Sequence, residues 1–522
     1  MTLHLEIKRQ EILALALIIL ITLIVRLHFL SLVQDDPAFR MPVVDSLEYD
    51  IWAYKIYHDN WFWDKTPYHL PLYPYFVAGI YRIFGYNLYS VAVIQYSIAC
   101  LSSLFLYLIA RRLAGSGVAL VASILMAVYW FFIYTQTFLF SENLSLFFNT
   151  LLIYLLFSRR ESFLKYLNCG IILGLSVASR PDILTFAGII FLWLWWKNKS
   201  LLAALRHYTP FILGVILVLL PIVARNIMIS HEPIFLRSQV GVNMYIGNNP
   251  VYKGAAAVEI GKDWDELISL PEQTYQREVS ESESDRFFLK ETIETIKHQP
   301  RAWTKLMAGK IYSILTGRDF LRSEDVYFYD HYFTRTPYYL ISTRLIFILF
   351  IVGLFISWRR SKDFALLYLF LASELFIIFF QIKTRYLIPV FPIVIIFSAL
   401  TLHELFVRFK ARELHLALAL IAGVMLINAL TLYNPLGIEP PTTAETHYAI
   451  GRNYLERSLL DPAIDELQRA LAINPRHIAA YNTLGLIYRH RAEEAAACEF
   501  FAKALALDPA AHIVKLNYAL CR

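Results

Sequence analysis

Three carboxylates follow the first long apolar stretch of the chain, at Asp45, Glu48 and Asp50. Residues three apart lie on one face of a helix, so the side chains of Asp45 and Glu48 can point the same way. A carboxylate held near a membrane surface can act as a general base that removes a proton from an acceptor hydroxyl or amine. The alternative interpretation of this spacing is a solvated acidic loop.

Aromatic and imidazole groups accompany these acids. Tyr49 lies between two of them, and His69 opens the run HLPLYPYF. Prolines fix turns, and aromatic rings suit the boundary between membrane and water. His69 is therefore a candidate for a second polar group at the site, with a purely structural histidine as the alternative.

Ionisable residues recur at the ends of later apolar segments. They are Glu142, Arg180, Arg225, Lys383 and Arg385. Basic residues in outward turns run against the positive-inside rule, and an anionic ligand at the outer membrane face would account for them. The alternative for each residue is a charged end that snorkels to the interface.

Carboxylates from one loop and cations from several segment ends suggest the transfer of a group from a phosphate-linked donor. Nucleotide sugars are not expected outside the cell, whereas a lipid-phosphate donor is supplied by the bilayer itself. Arginines would stabilise the charge on the departing phosphate. We predict no cofactor, because the sequence contains no convincing cluster of ligands for a divalent metal.

The composition predicts an integral membrane protein. Hydrophobic residues make up 57% of the 522 residues, charged residues make up 17%, and the mean hydropathy is +0.49. Soluble domains usually contain about 25% charged residues. These values exclude a disordered chain, a nucleic-acid-binding domain and an ordinary cytosolic enzyme, and four cysteines are too few for a disulfide scaffold.

Apolar segments long enough to cross a bilayer recur along residues 1–433. We predict about 11 transmembrane helices, at 12–33, 88–110, 117–136, 141–157, 166–179, 182–196, 208–225, 339–357, 364–381, 386–406 and 414–433. If the N-terminus is cytoplasmic, the inside segments carry sixteen basic residues and the short outside turns carry three. This bias predicts a multi-pass protein of the cytoplasmic (inner) membrane with an extracytoplasmic C-terminus.

Two large loops, 34–87 and 226–338, then face outward. Within the second, residues 283–298 have helical spacing. Residues 302–315 form an amphipathic segment that we expect on the membrane surface, with a plain soluble helix as the alternative. Few ionisable residues lie in mid-span, Arg26 and Glu374 being the main exceptions, which argues against a transport pathway.

A repeat with a period of 34 residues follows the Pro-rich linker 434–442. The matching positions are Gly451 and Gly485, Tyr454 and Tyr488, Ala463 and Ala497, Ala470 and Ala504, and Pro475 and Pro509. The pattern resembles the tetratricopeptide repeat over about 443–510, and 511–520 is expected to close the stack. We therefore predict an α-solenoid domain at 443–522 that binds a protein partner, with a bare structural cap as the alternative. Cys498 and Cys521 could pair or remain free thiols.

An ordered series of motifs along residues 12–433 resembles the GT-C-type glycosyltransferases, in particular the bacterial family 39 group related to protein O-mannosyltransferases and aminoarabinose transferases. The motifs are Asp45-x3-Tyr49, Pro71-Leu-Tyr73-Pro74, Gly85, Ser141-Glu142, Arg180-Pro181, Arg225-Asn226, the run GVNMYIGNNP at 241–250, and Arg385-Tyr386. The resemblance implies an all-α polytopic membrane protein of GT-C type with two large extracytoplasmic loops.

The resemblance also implies the chemistry. The donor would be a polyprenyl-phosphate sugar, the transfer would invert the anomeric centre, and the acceptor would be a lipid, a glycan or a protein. Asp45 matches the catalytic acidic residue, which would act as the general base, and Glu48 or Asp50 would share this role. The donor phosphate would bind Arg225, Lys383 and Arg385, and further site candidates are Tyr49, His69, Glu142 and Arg180. The alternatives are a transporter or flippase of lipid-linked saccharides and a non-catalytic membrane scaffold.

Overall fold

The protein is helical throughout the part of the chain that the structure describes. This computed structural model describes residues 9–42, 45–61, 69–158, 161–232, 234–253, 262–315, 341–358, 364–375, 379, 384–430, 432–433, 443–509 and 511–521. No strand occurs among these residues. The predicted all-α fold class is confirmed.

Every predicted span coincides with an apolar helix. The helices are α1 (Arg9–Val33), α5 (Leu88–Ala114), α6 (Ser116–Val128), α7 (Trp130–Thr135), α8 (Glu142–Leu156), α9 (Phe163–Ser179), α10 (Thr185–Asn198), α11 (Leu201–Ser230), α16 (Thr343–Ser357), α17 (Phe364–Glu374), α18 (Phe391–Lys410) and α19 (Leu414–Leu430). The span predicted at 117–136 is split, because Tyr129 takes an extended backbone conformation between α6 and α7.

Four helical segments are long and apolar enough to cross a membrane by length and composition. They are Arg9–Val33, Leu88–Ala114, Leu201–Ser230 and Arg385–Lys410, the last of which begins in a 3-10 helix over Thr384–Val390. Several of the remaining apolar helices are shorter than the roughly 20 residues that a perpendicular crossing needs. The count of about 11 spans therefore stays a prediction.

Glycines set the closest helix crossing in the bundle. A Cβ atom at Gly170 would collide with the backbone carbonyl of Phe211, and one at Gly214 would collide with that of Leu167. Helices α9 and α11 can therefore approach this closely because both carry glycine at the crossing. The contact fixes the middle of α9, the helix that precedes Arg180, against α11.

The two predicted outward loops are also helical. The first contains α2 (Pro37–Arg40), α3 (Asp45–Tyr57) and α4 (Leu72–Phe84), and the second contains α12 (Val240–Asn248), α13 (Lys262–Tyr275), α14 (Glu281–His298) and α15 (Pro300–Leu315). Helix α14 begins with a capping box in which Ser280 and Glu283 bond each other's backbone N–H groups. The predicted helix at 283–298 is confirmed.

The C-terminal helices form two antiparallel pairs and a closing helix. They are α20 (Thr443–Glu456), α21 (Leu460–Ile473), α22 (Ile478–His490), α23 (Glu494–Leu507) and α24 (His512–Ala519). The predicted linker 434–442 lies outside the described residues. Gly485 faces the ring of Phe501, which fills the space that a side chain would need. Cys498 and Cys521 form a disulfide with a Cα–Cα distance of 5.7 Å, which ties α24 to α23.

Candidate active site

The first of the two predicted outward loops places a carboxylate at the N-terminus of α3. Asp45 is the first residue of this helix, and its side chain is 12% exposed. One carboxylate oxygen contacts Nη2 of Arg385, and the other lies 3.9 Å from Nε2 of His69. The same His69 nitrogen lies 3.1 Å from Oε2 of Glu48. The predicted i, i+3 pair therefore converges on one imidazole.

A second carboxylate sits deeper, at the start of α8. The side chain of Glu142 is 3% exposed, and its Oε1 lies 2.6 Å from Nη1 of Arg180 and 3.6 Å from Nε of Arg385. Arg180 also places its Nε 3.0 Å from Oδ1 of Asp182. Burial alone would lower the pKa of Arg180, but the carboxylates of Asp182 and Glu142 outweigh it and raise the pKa. Arg180 is thus held as a cation between acids.

Aromatic rings fix the two guanidinium groups. The ring of Tyr386 lies 4.3 Å from the guanidinium carbon of Arg180 and 5.5 Å from that of Arg385, and Phe140 lies 5.2 Å from Arg385. A cation over an aromatic face is stabilised by the ring quadrupole. These contacts orient the guanidinium groups before any ligand binds.

Tyr49 links the two carboxylate groups. Its hydroxyl donates to Oγ of Ser141 at 3.0 Å, and that hydroxyl lies 3.5 Å from Oε2 of Glu142. Its ring packs on His69 at a centroid distance of 4.4 Å. Burial, followed by the charge of Glu142, raises the pKa of Tyr49 well above its ordinary value. Tyr49 is therefore a neutral hydrogen-bond donor at physiological pH.

These side chains line a cavity of about 780 Å³, roofed by the second outward loop. Six of the predicted site residues face it, and they are Asp45, Tyr49, His69, Glu142, Arg180 and Arg385. The loop contributes Phe235, Arg237, Asp285 and Arg286. Small-molecule sites are commonly about 300–1,000 Å³, so the cavity has room for a sugar phosphate.

Other predicted site residues lie elsewhere. Glu48 reaches His69 but is half exposed and does not line the cavity. Arg225 packs over the ring of Trp52 at 5.2 Å and donates to Oδ1 of Asn226 at 3.1 Å. Lys383 lies outside the described residues. Asp50 is 2% exposed and also does not line the cavity.

Sequence reasoning did not select several residues that line the cavity. Asp182 and Tyr386 are close in sequence to the predicted site residues Arg180 and Arg385, in the motifs Arg180-Pro181-Asp182 and Arg385-Tyr386. This proximity in sequence could have identified both as site residues. Arg237 and Arg286 have no such signal, because only the folding of the second loop over the bundle brings them near Asp45. Within the described part of the chain, no group of three His, Cys, Asp or Glu residues could hold a metal ion.

A smaller groove of about 350 Å³ lies on the repeats. It is lined by residues of α20, α22 and α24 together with Glu266 of the second loop, among them Tyr448, Arg452, Asn482 and Asn517. Nδ2 of Asn517 donates to Oδ1 of Asn482 at 2.9 Å across this groove. The repeats thus present a concave surface, lined by both apolar and polar side chains, next to the membrane domain.

Two parts of the chain are similar to known protein families. Residues 65–227 match the family described as dolichyl-phosphate-mannose-protein mannosyltransferase, and residues 478–510 match the tetratricopeptide repeat. The predicted resemblance is confirmed by these matches. The helical bundle is therefore similar to this glycosyltransferase family over residues 65–227, and a segment similar to the tetratricopeptide repeat follows it.

Solved structures of membrane enzymes are similar to this chain at low sequence identity. The archaeal oligosaccharyltransferase AglB from Archaeoglobus fulgidus, in complex with an inhibitory peptide and a dolichol-phosphate, is 14% identical, with a TM-score of 0.42 over 87% of this chain and 59% of that one. ArnT from Cupriavidus metallidurans, bound to undecaprenyl phosphate, is 12% identical, with a TM-score of 0.38 over 75% of this chain and 78% of that one. The chain thus spans less than two thirds of the archaeal enzyme. No curated protein matches.

Proposed function

We propose that this protein transfers a sugar from a polyprenyl-phosphate donor to a lipid, glycan or protein acceptor at the outer face of the cytoplasmic membrane, with inversion and with Asp45 as the general base. One observation carries the proposal. The carboxylate of Asp45 and the cations Arg180 and Arg385 line the same cavity, although they come from three distant parts of the chain.

The chemistry follows from these positions. The acceptor oxygen or nitrogen forms a bond to the anomeric carbon while the bond from that carbon to the phosphate oxygen breaks. The acceptor proton passes to Asp45, and the phosphate leaves with the electron pair. Arg385 contacts and orients the carboxylate of Asp45, and its remaining guanidinium surface can stabilise the leaving phosphate. The binding of the donor phosphate by Arg225 and Lys383 stays a prediction, because Arg225 packs over Trp52 outside the cavity and Lys383 lies outside the described residues.

The proposed location also has support from the repeats. Disulfides persist in oxidising compartments, and Cys498 and Cys521 are paired. This favours an extracytoplasmic repeat domain and, with the charge bias, a cytoplasmic N-terminus. The groove on the repeats, lined by both apolar and polar side chains, offers a protein partner a binding surface.

Arg26, one of the two ionisable residues predicted in mid-span, gives no support to the rival transporter function. Arg26 donates to Oε1 of Gln136 at 2.7 Å and to the carbonyl of Ala127 at 2.9 Å. It is fully buried, and these bonds tie α1 to the last turn of α6 and to the residue that follows α7. Arg26 therefore has a structural role rather than a place along a substrate path.

The test compares wild type with Asp45→Asn in membranes that lack the native protein, at matched expression. Radiolabelled polyprenyl-phosphate sugars are supplied, and label is followed into lipid, glycan and protein fractions. We expect Asp45→Asn to lower transfer by about 10²–10⁴-fold, the usual contribution of a general base. The control is Asp35→Asn, which changes an exposed acid paired only at the surface with Arg40. Equal labelling by wild type and Asp45→Asn would overturn the assignment of Asp45.

A further inference from the structure

The first repeat helix packs directly onto the loop that carries Asp45. Ile450 and Asn453 of α20 are each 1% exposed, and Ala449 and Ile450 belong to the same apolar core as the membrane helices. Tyr454 packs against that core from the side. One face of α20 is therefore buried in the bundle, which a freely tethered repeat domain would not require.

Two polar contacts from this face reach the first outward loop on both sides of Asp45. Nδ2 of Asn453 donates to the carbonyl of Pro42, three residues before Asp45. Nη2 of Arg457 lies 3.5 Å from Oδ2 of Asp50, five residues after it. Arg457 also donates from Nε to Oδ1 of Asn453 at 3.1 Å, so the two contacts support each other.

Asp50 is the anchor of this arrangement. The hydroxyl of Tyr81 donates to its Oδ1 and that of Tyr86 to its Oδ2, each at 2.7 Å. Burial raises the pKa of Asp50, and the two hydroxyls and Arg457 oppose this effect. Groups from α3, from the end of α4 and from the repeats thus meet at one buried carboxylate that the proposed transfer does not use. If α20 moved, the position of α3 would change, and the position of Asp45 would change with it.

We propose that the repeat domain is a positioning element of the active site, which holds the helix of the general base through Arg457 and Asn453. Arg457 and Asp50 are positioning residues, since they act on the reaction through α3 and touch neither reacting group. This inference rests on the proposed function for its kinetic effect. The structural half of the inference stands independently, because the mobility of α3 can be measured without any transfer reaction.

The experiment uses the full-length protein in detergent or in membranes. Arg457→Met removes the charge and keeps an apolar stem of similar length, and Arg457→Lys retains the charge. The matched control is Arg476→Met, which changes an exposed arginine in the turn between the two repeats. Asp45→Asn serves as the catalytic control. The two readouts are steady-state transfer kinetics and amide hydrogen exchange of peptides that cover residues 45–57.

We expect Arg457→Met to lower kcat by about 5- to 100-fold, the range that a small misplacement of a catalytic group can cause, with KM for the donor unchanged within about twofold. Exchange over 45–57 should be faster than in wild type, Arg476→Met should match wild type, and Arg457→Lys should recover part of both losses. Asp45→Asn should lose transfer without faster exchange at 50–57.

Unchanged exchange in Arg457→Met would overturn the positioning role, whatever the kinetics. Equal effects of Arg457→Met and Arg476→Met would assign the loss to the folding of the repeats and would also overturn it. If wild type transfers no sugar but exchange responds to Arg457→Met, the proposed function fails while the link between the repeats and α3 stands.

Discussion

Arg180 offers the sharpest test of the electrostatics of the cavity. It stands between Glu142 and Asp182 at 2.6 and 3.0 Å, and its side chain is 11% exposed. The variant Arg180→Met keeps the apolar stem and removes the charge, which leaves both acids without their shared cation. Glu142 then depends on Arg385, whose Nε is 3.6 Å away, and Arg385 is drawn from Asp45.

Removing one partner of a buried ion pair costs about 3–5 kcal/mol, since the other charge stays buried and uncompensated. Because Glu142 keeps its contact with Arg385, we expect Arg180→Met to lower the free energy of unfolding by about 3 kcal/mol, the lower end of this range. Glu142→Gln removes one of the two negative charges that lose Arg180 as their partner. The double variant should therefore be more stable than the sum of the single losses predicts, with a coupling of about 1–3 kcal/mol.

The assay is reversible unfolding of wild type, the two single variants and the double variant in mixed micelles. The control cycle uses Arg277 and Glu283, whose side chains are 2.8 Å apart and 55% and 32% exposed. Solvent screens such a pair, so its coupling should be far smaller. Additive losses at Arg180 and Glu142, or equal coupling in both cycles, would refute the buried charge network.

Three further predictions concern stability. Burial lowers the pKa of Lys310 from 10.5 to about 7. Between these pH values the unfolded chain binds more protons than the folded protein, so the free energy of unfolding should rise with pH from about 7 to 10.5. In Lys310→Met this rise should disappear. Gly170→Ala should lower the free energy of unfolding by about 1–3 kcal/mol, because the new methyl meets the backbone of α11. Gly188→Ala should not lower it, because a methyl there meets no neighbour and alanine is favoured over glycine in a helix interior. Replacing Cys498 and Cys521 by serine opens a loop with a sequence separation of 23 and should destabilise the repeats by about 3 kcal/mol, seen as faster trypsin cleavage there; unchanged cleavage would contradict a stabilising disulfide.

The sequence alone was enough for the architecture. Apolar segments of about 20 residues predict helices because a bilayer imposes length and hydrophobicity locally, and each predicted span lies on a helix. The 34-residue offset between Gly451 and Gly485 predicts paired helices, since every repeat is one local unit. The break at Tyr129 was missed because hydropathy is insensitive to a single extended residue within an apolar run.

The site was only half predictable. Asp45 and Glu142 stand out by charge beside apolar segments, and Arg180 and Arg385 stand out as outward cations. Whether these residues contact one another depends on how four segments pack together: α3, α8, the segment after α9 and the segment before α18. The residue pattern within one segment does not determine that packing. The same reason explains why Arg225 packs over Trp52 and does not line the cavity.

Local pattern thus determined which helices form, which end in ionisable residues and where the repeats begin. Tertiary structure decided which of those residues meet. Asp45 contacts an arginine 340 positions away, and Asp50 contacts one 407 positions away in the repeats. Such contacts are made only when separately stable helices pack, because a side chain's partner is set by the geometry of the neighbouring helix and not by its own segment.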